Sequence, residues 1–231
     1  MIQTIRKAWN IPELRKKIVF TLLILLIYRI GNAIPVPYVD VGALSEYLNS
    51  MKTTVLGLYN VMSGGAFADA TVFALSIQPY INASIIIQLL TVAIPALERM
   101  AREEGEEGRK KIASITRYTT VGIGLIQGFA YYMLMRNQYN ILTNDSIAAA
   151  FVIIVTFVAG SAFIMWLGEQ ITEFGIGNGI SIILFASIIS RIPAGIGTMY
   201  SNREVLGVPG IVGILVGLLA LIVLITHVYN A

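Results

Sequence analysis

Apolar stretches long enough to cross a bilayer alternate with short polar or glycine-rich stretches along the chain, and that alternation predicts its elements. Residues 18–34 form the first such stretch, introduced by Arg15, Lys16 and Lys17, with Arg29 near its far end where a long basic side chain snorkels to the headgroups. It is too long for a signal-peptide core and no small-residue cleavage site follows it, so it predicts a first spanning helix. Residues 32–56, with Pro35, Pro37, Asp40, Glu46 and Lys52, predict an exterior loop holding one helical turn near 43–48. Further spans are predicted at 73–97, 118–135, 147–167, 180–192 and 211–228, which makes six in all.

One stretch breaks this pattern. Residues 58–67 are too short to cross and end in the Gly64-Gly65 break, so they must lie at an interface or dip back in against protein. The span that follows carries Gln78, Asn82 and Gln88, which are costly in lipid unless they face protein or water. Pro95 lies near its end, where the loss of a helix hydrogen bond is tolerable. The stretch 58–97 is therefore built to line something. Gly124 with Gly128, and Gly213 with Gly217, have the small-xxx-small spacing that lets another helix approach closely.

Composition agrees with a bilayer as solvent, since the chain is 56% hydrophobic and 13% charged. A soluble oxidoreductase or nuclease is excluded on that ground. There is no cysteine and a single His227, so neither disulfides nor a zinc site is expected, and no cofactor. The placement of charge matters more than its net value of +3. Residues 1–17 and 98–117 hold eleven of the sixteen Lys and Arg, against Lys52 alone in the loop between the first two spans. The positive-inside rule then puts the N-terminal segment 1–17 and the charged loop 98–117 in the cytoplasm. Residues 136–146 and 193–210 become exterior connections, and 174–179 a cytoplasmic turn. The chain stops directly after its sixth span, as a truncated polytopic protein would.

The turn Gly175-Ile-Gly-Asn-Gly179 invites a phosphate-loop reading. No strand precedes it, no Lys-Ser/Thr follows, and Glu169 and Glu173 would repel phosphate, so a close-packed turn between helices explains the glycines better. Helical geometry is more informative. Ile77, Ile81, Ser84 and Gln88 fall at i, i+4, i+7 and i+11 and share a face, while Ile180 and Leu184 share one on the fifth span, just after Asn178. Two antiparallel helices can thus present a narrow aliphatic layer with polar groups on its cytoplasmic side. Simple packing against lipid or neighbouring helices accounts for such residues equally well. A secondary transporter with discontinuous helices around a midplane site is the alternative function, though no span carries an acidic residue to couple protons or sodium.

Three runs carry a resemblance. Met62-Ser-Gly-Gly-Ala66, the run from Phe73 through Ser76-Ile-Gln-Pro-Tyr-Ile-Asn82 to Leu90, and Trp166-Leu-Gly-Glu-Gln-Ile-Thr-Glu-Phe-Gly-Ile-Gly-Asn-Gly-Ile-Ser181 closely resemble the SecY family, the channel subunit of the bacterial protein-conducting translocon. The resemblance covers essentially the whole chain. It implies an all-α polytopic membrane protein: six transmembrane helices plus a short re-entrant plug helix, forming the first half of a pseudosymmetric ten-helix channel. The N-terminal half would occupy 18–192, the exterior hinge loop 193–210, and the sixth helix 211–231 would open the second half. It implies a plug at about 58–70, including Tyr59, Asn60, Met62, Ser63, Gly64, Gly65 and Phe67. Ile77, Ile81, Ile180 and Leu184 match the aliphatic pore ring. Asn82, Ile85, Ile86, Gln88, Leu89 and Asn178 match the lateral gate and its polar cluster, where buried amides bonding each other would bias the gate shut.

By the same resemblance the protein is not an enzyme. It would pass unfolded secretory polypeptides across the bacterial plasma membrane and release transmembrane segments sideways into lipid. Its implied partners are the SecE and SecG membrane subunits, the SecA motor ATPase, the translating ribosome, signal sequences and nascent polypeptides. Three positions depart from the family pattern: Asn82 stands where Ser is common, Phe174 replaces the usual Arg, and Leu184 stands where Ile is frequent.

Overall fold

The computed structural model describes residues 11–51, 54–102, 104–138, 141–201 and 203–230, so the expected cytoplasmic segment 1–17 falls largely outside the described residues. The chain divides into two units, Met1–Ile189 and Ser190–Ala231. In the first, helix α1 runs Pro12–Gly31, with Pro12 and Glu13 in the first turn, where a missing N–H and a negative charge are both favourable. Helix α2, Val41–Ser50, is longer than the single turn expected there. Its start is fixed by Asp40, whose carboxylate accepts from the Ala43 N–H at 3.0 Å, and Leu44 and Leu48 one turn apart are buried. Helix α3, Val55–Met62, is the short piece the sequence singled out.

Between α3 and the next helix the backbone makes a chain of turns, with φ of 68° at Gly64 and 97° at Gly65. The expected span 73–97 is therefore corrected at both ends. Residues 73–77 continue the turns, with Ser76 at φ 51°, and α4 is Gln78–Ala93 with Pro79 in its first turn. Sixteen residues reach about 24 Å. At the other end Pro95 forces the preceding Ile94 into an extended conformation, φ −109° and ψ 113°, and α5 (Pro95–Arg102) leaves at a 102° bend. The charged segment 98–117, expected as a loop, is mostly helical. It belongs to α5 and to the start of α6, Gly105–Arg136, where Glu98–Arg102 and Glu107–Lys111 pair at i,i+4. Helix α7 is Ile147–Phe174, capped by the Ser146 hydroxyl, and runs two turns beyond the expected end; α8 is Gly179–Ile189.

The second unit contains α9, Ile192–Ser201, and α10, Arg203–Asn230. The expected exterior loop 193–210 is thus helical on both sides of one break at Gly207, whose φ of 63° only glycine adopts readily, two residues before Pro209.

By length and composition, Ile147–Phe174 and the stretch Gly179–Ser201 can cross a membrane, and Gln78–Ala93 with Pro95–Arg102 makes a third if the bend lies within one span. Two apolar cores organise the first unit. One joins α2, the turns after α3, α6 and α7 around Phe67, Leu75, Tyr131, Met135 and Phe157; the other joins α1, α4, α7 and α8 around Tyr28, Ile77, Leu167 and Ile183. Gly124 and Gly128 do meet a neighbour, lying against Val158 and Ile154 of α7, whereas nothing lies within 4 Å of the Cβ positions of Gly213 and Gly217 among the described residues.

Candidate functional site

Close backbone packing sets the geometry of the site. A Cβ on Gly179 would lie 2.0 Å from the Gly168 carbonyl oxygen, so only glycine lets the start of α8 rest on α7. Gly175 is similarly confined, with the Thr21 hydroxyl 2.6 Å from its Cβ position, and Gly177 has φ +64°. The glycine cluster is thus a packing device. The Thr172 hydroxyl oxygen accepts from the Gly179 N–H at 2.9 Å, and the Asn178 side-chain oxygen accepts from the N–H groups of Ile180 and Ser181 at 3.0 and 3.2 Å. Those bonds cap α8 and aim its first two turns.

This places Ile180 and Leu184 against the second core, on which Ile77 and Ile81 also converge. The Cβ position of Gly168 lies 3.3 Å from Ile180 and 3.6 Å from Ile77, so the starts of α4 and α8 meet over one spot on α7. All four residues of the expected ring are brought into one aliphatic cluster. Ile77 is 1% exposed and the other three are half-buried.

The segment before Ile77 is seated by its own polar groups. The Asn60 side-chain oxygen accepts from the Ala68 N–H at 3.0 Å, and the Ser63 hydroxyl accepts from the Phe67 N–H at 3.1 Å and donates to the Asn60 carbonyl. Tyr59 donates its hydroxyl to the Leu75 carbonyl at 3.0 Å, and burial pushes that phenol well above its usual pKa. Phe67 stacks on Tyr131 with ring centroids 4.3 Å apart, and the Tyr131 hydroxyl donates to the Phe67 carbonyl. The Gln78 amide donates to the Met62 sulfur at 3.3 Å, which ties the end of α3 to the residue beside Ile77.

The expected gate residues behave differently. Ile85, Ile86, Gln88 and Leu89 are exposed on α4, Asn82 is half-buried and Asn178 is exposed. No buried Gln88–Asn178 pair exists among the described residues: the Asn178 side-chain oxygen is already engaged in capping α8, a local acceptor site that costs less to form than a contact between two helices.

Sequence reading missed several residues that matter here. Tyr131 is one, and its signal was an aromatic pair, Tyr131-Tyr132, inside an apolar helix. Arg117 and Glu169 are others, joined at 2.9 Å between α6 and α7 beside a cavity of about 560 Å³ that Tyr80, Trp166, Glu173 and Asn178 also line. Gln127 borders a second cavity of about 220 Å³ between α3 and α6, and its side-chain oxygen is buried with no partner among the described residues.

A sequence profile of the SecY family matches residues 71–231, and a SecY translocase subunit from Aquifex aeolicus (strain VF5) is 40% identical over 207 residues, 87% of this chain and 48% of the relative. The chain belongs to the SecY family. Members from Streptomyces scabiei and Escherichia coli (strain K12), both described as protein translocase subunit SecY, are 43% identical over 218 and 190 residues, covering 90% and 81% of this chain and 50% and 43% of theirs. The chain thus spans about half the length of the curated SecY relatives it matches. A solved structure described as a protein conducting channel matches with a TM-score of 0.64 at 18% identity over 92% of this chain and 47% of its own. A structure of Sec61 in a canine ribosome-channel complex gives the same values. A SecY structure described by its plug domain gives 0.58 at 21% identity, over 85% and 42%. The fold is that of the SecY and Sec61 channels.

Proposed function

We propose that this chain forms the first half, with the sixth helix, of a SecY channel that conducts unfolded polypeptides across the bacterial plasma membrane and releases transmembrane segments into it. The observation that carries the reading is the junction at Met62 and Gln78: a short folded-back segment is fastened directly beside Ile77, the residue before α4, where it converges with Ile81 of α4 and Ile180 and Leu184 of α8. In this reading residues 58–70 are the plug and Ile77, Ile81, Ile180 and Leu184 are half of the pore ring. Flexible aliphatic side chains close around an extended chain of any sequence without bonding to it, and they impede ions by excluding water. No bond is made or broken at such a site. Energy comes from SecA or a translating ribosome on the cytoplasmic side, with SecE and SecG as membrane partners.

Six spans of a ten-helix, pseudosymmetric channel complete the reading, with the N-terminus cytoplasmic and a hinge at 193–210. In its support, α1 exposes Leu22, Leu23, Leu26 and Ile30, and α10 exposes Leu218, Leu219, Ile222 and Ile225, faces that lipid would solvate. The uncovered face of α4, with Ile85, Ile86 and Leu89 each more than 40% exposed, serves as one wall of the lateral gate, closed by a helix of the second half. Asn82 and Gln88 border that wall, and Asn178 contributes to the polar cluster as the cap of α8.

The test exploits the absence of cysteine. In the full-length protein with its partners, a cysteine at Ile81 and another in an arrested secretory precursor should form a disulfide that depends on the arrest. A positive control at another precursor contact, with no crosslink at Ile81, would return this face to ordinary packing and favour the secondary-transporter alternative.

A further inference from the structure

With no cysteine in the chain, its eight methionines are the only sulfur. Met135 and Met165 are closed off, at 0% and 7% exposure. Met62 is placed differently. It is half-buried at the last position of α3, a helix end whose Leu58 and Val61 are 61% and 45% exposed. Its sulfur accepts from the Gln78 side-chain amide at 3.3 Å, across sixteen positions of chain. The polar bonds of Asn60 and Ser63 stay inside the segment, and Tyr59 reaches only to the Leu75 carbonyl. The contact between Met62 and Gln78 is therefore a side-chain tie from this segment to α4 itself.

We propose that Met62 is a site of reversible sulfoxidation by peroxides, and that its oxidation unfastens residues 58–70 from α4. A sulfur lone pair attacks one oxygen of hydrogen peroxide, and an S–O bond forms as the O–O bond breaks. The displaced hydroxide takes the proton from the transferred oxygen and leaves as water; sulfur loses two electrons and the peroxide gains them. Either face of the sulfur gives the same result. Oxygen added toward Gln78 has no room, because an N–H···O bond alone takes about 2.9 Å of the 3.3 Å gap. Oxygen added on the opposite face leaves the Gln78 N–H pointing at an electron-poor sulfur that no longer accepts. The product is also polar where the thioether was apolar, which draws it toward water, and methionine sulfoxide reductase reverses the step. The consequence for conduction, a channel that leaks ions while oxidised, rests on the plug reading of residues 58–70; the modification itself does not.

The experiment exposes the full-length protein with its partners, in lipid vesicles, to graded hydrogen peroxide and follows oxygen uptake on each methionine by peptide mass spectrometry. Met62 should oxidise well before Met135 and Met165. Two amides at the end of α3 report the release, those of Ser63 and Gly65, bonded to the Tyr59 and Asn60 carbonyls at 2.9 Å. Their hydrogen exchange should rise about two- to fivefold, the loss of one weak neutral bond, and fall back after reductase treatment. Met62→Leu, which keeps the volume without the sulfur, should show raised exchange from the start and no response to peroxide. Gln78→Leu, which keeps the sulfur and lacks the donor, should still oxidise at Met62 with no further rise. Oxidation of Met62 no sooner than Met135, unchanged or slower exchange in the oxidised wild type, or a peroxide response that persists in Met62→Leu overturns the proposal. Faster exchange with no ion leak supports this site and sinks the plug reading alone.

Discussion

Replacing Tyr131 with Phe would remove one hydroxyl from the seat of residues 58–70, the segment proposed as the plug, while leaving its shape intact. Tyr131 is 4% exposed, stacked on Phe67 at 4.3 Å and tilted against Phe157 at 5.1 Å, and its hydroxyl donates to the Phe67 carbonyl. Phe keeps both ring contacts but removes one of the two bonds to that carbonyl, which still accepts from the Ala70 N–H at 3.3 Å. Losing one hydrogen bond while the acceptor keeps another costs about 0.5–1.5 kcal/mol, which weakens the seated state relative to the released one by roughly 2- to 13-fold. Three amides report the release: those of Phe67 (to Ser63), Ala68 (to Asn60) and Thr71 (to the Ala66 carbonyl at 3.0 Å). Their hydrogen exchange should accelerate by that factor in Tyr131→Phe, while amides in the centre of α7 stay unchanged. Under the proposed plug reading, the full-length protein should also show a larger resting ion leak. Unchanged exchange at the three amides, or an equal rise in α7, would refute the reasoning by showing that the hydroxyl does not hold this segment or holds the whole domain.

Three further outcomes follow from the same contacts. Gly179→Ala should lower Tm by several degrees, since its methyl would meet the Gly168 carbonyl oxygen, whereas Gly122→Ala, with nothing within 4 Å, should leave Tm level or slightly raised; equal behaviour of the two in thermal denaturation contradicts the packing account. Asn178→Ala should cost about 1 kcal/mol through loss of the α8 cap, while Gln88→Leu, at an exposed position, should change stability by less than about 0.5 kcal/mol in denaturant titration. Gln127→Leu should stabilise this chain, because the buried side-chain oxygen has no partner among the described residues; a fall in the denaturation midpoint would mean that it does make a bond.

Much of the architecture is legible from spacing alone. The apolar runs mark α1, α6, α7 and α10 because a long apolar run is a long signal, and of these α7 is by length and composition able to cross a membrane. Gly64-Gly65 and Pro95 mark breaks through backbone constraints intrinsic to those residues, and the structure places one at each. The motif runs at 62–66, 73–90 and 166–181 carried the resemblance to the family on sequence alone, and the family match bears it out. Helix ends were less legible: the charged segment 98–117 reads as a loop because charge density hides i,i+4 pairing, and residues 73–77 read as helix because their apolar character says nothing of the φ at Ser76.

Periodicity fixes which residues share a face, but it does not say what that face meets. Ile77 and Ile180 lie 103 positions apart in the chain and converge only because Gly168 and Gly179 let α8 press onto α7. Asn178 became a cap rather than a partner for Gln88 because its own N–H neighbours were nearer, and Tyr131 reached Phe67 only once α6 had been laid beside the turns after α3. Local chemistry is written in the sequence because its cause lies within a few residues, whereas convergence depends on how closely distant backbones can approach, a quantity set by the packed whole.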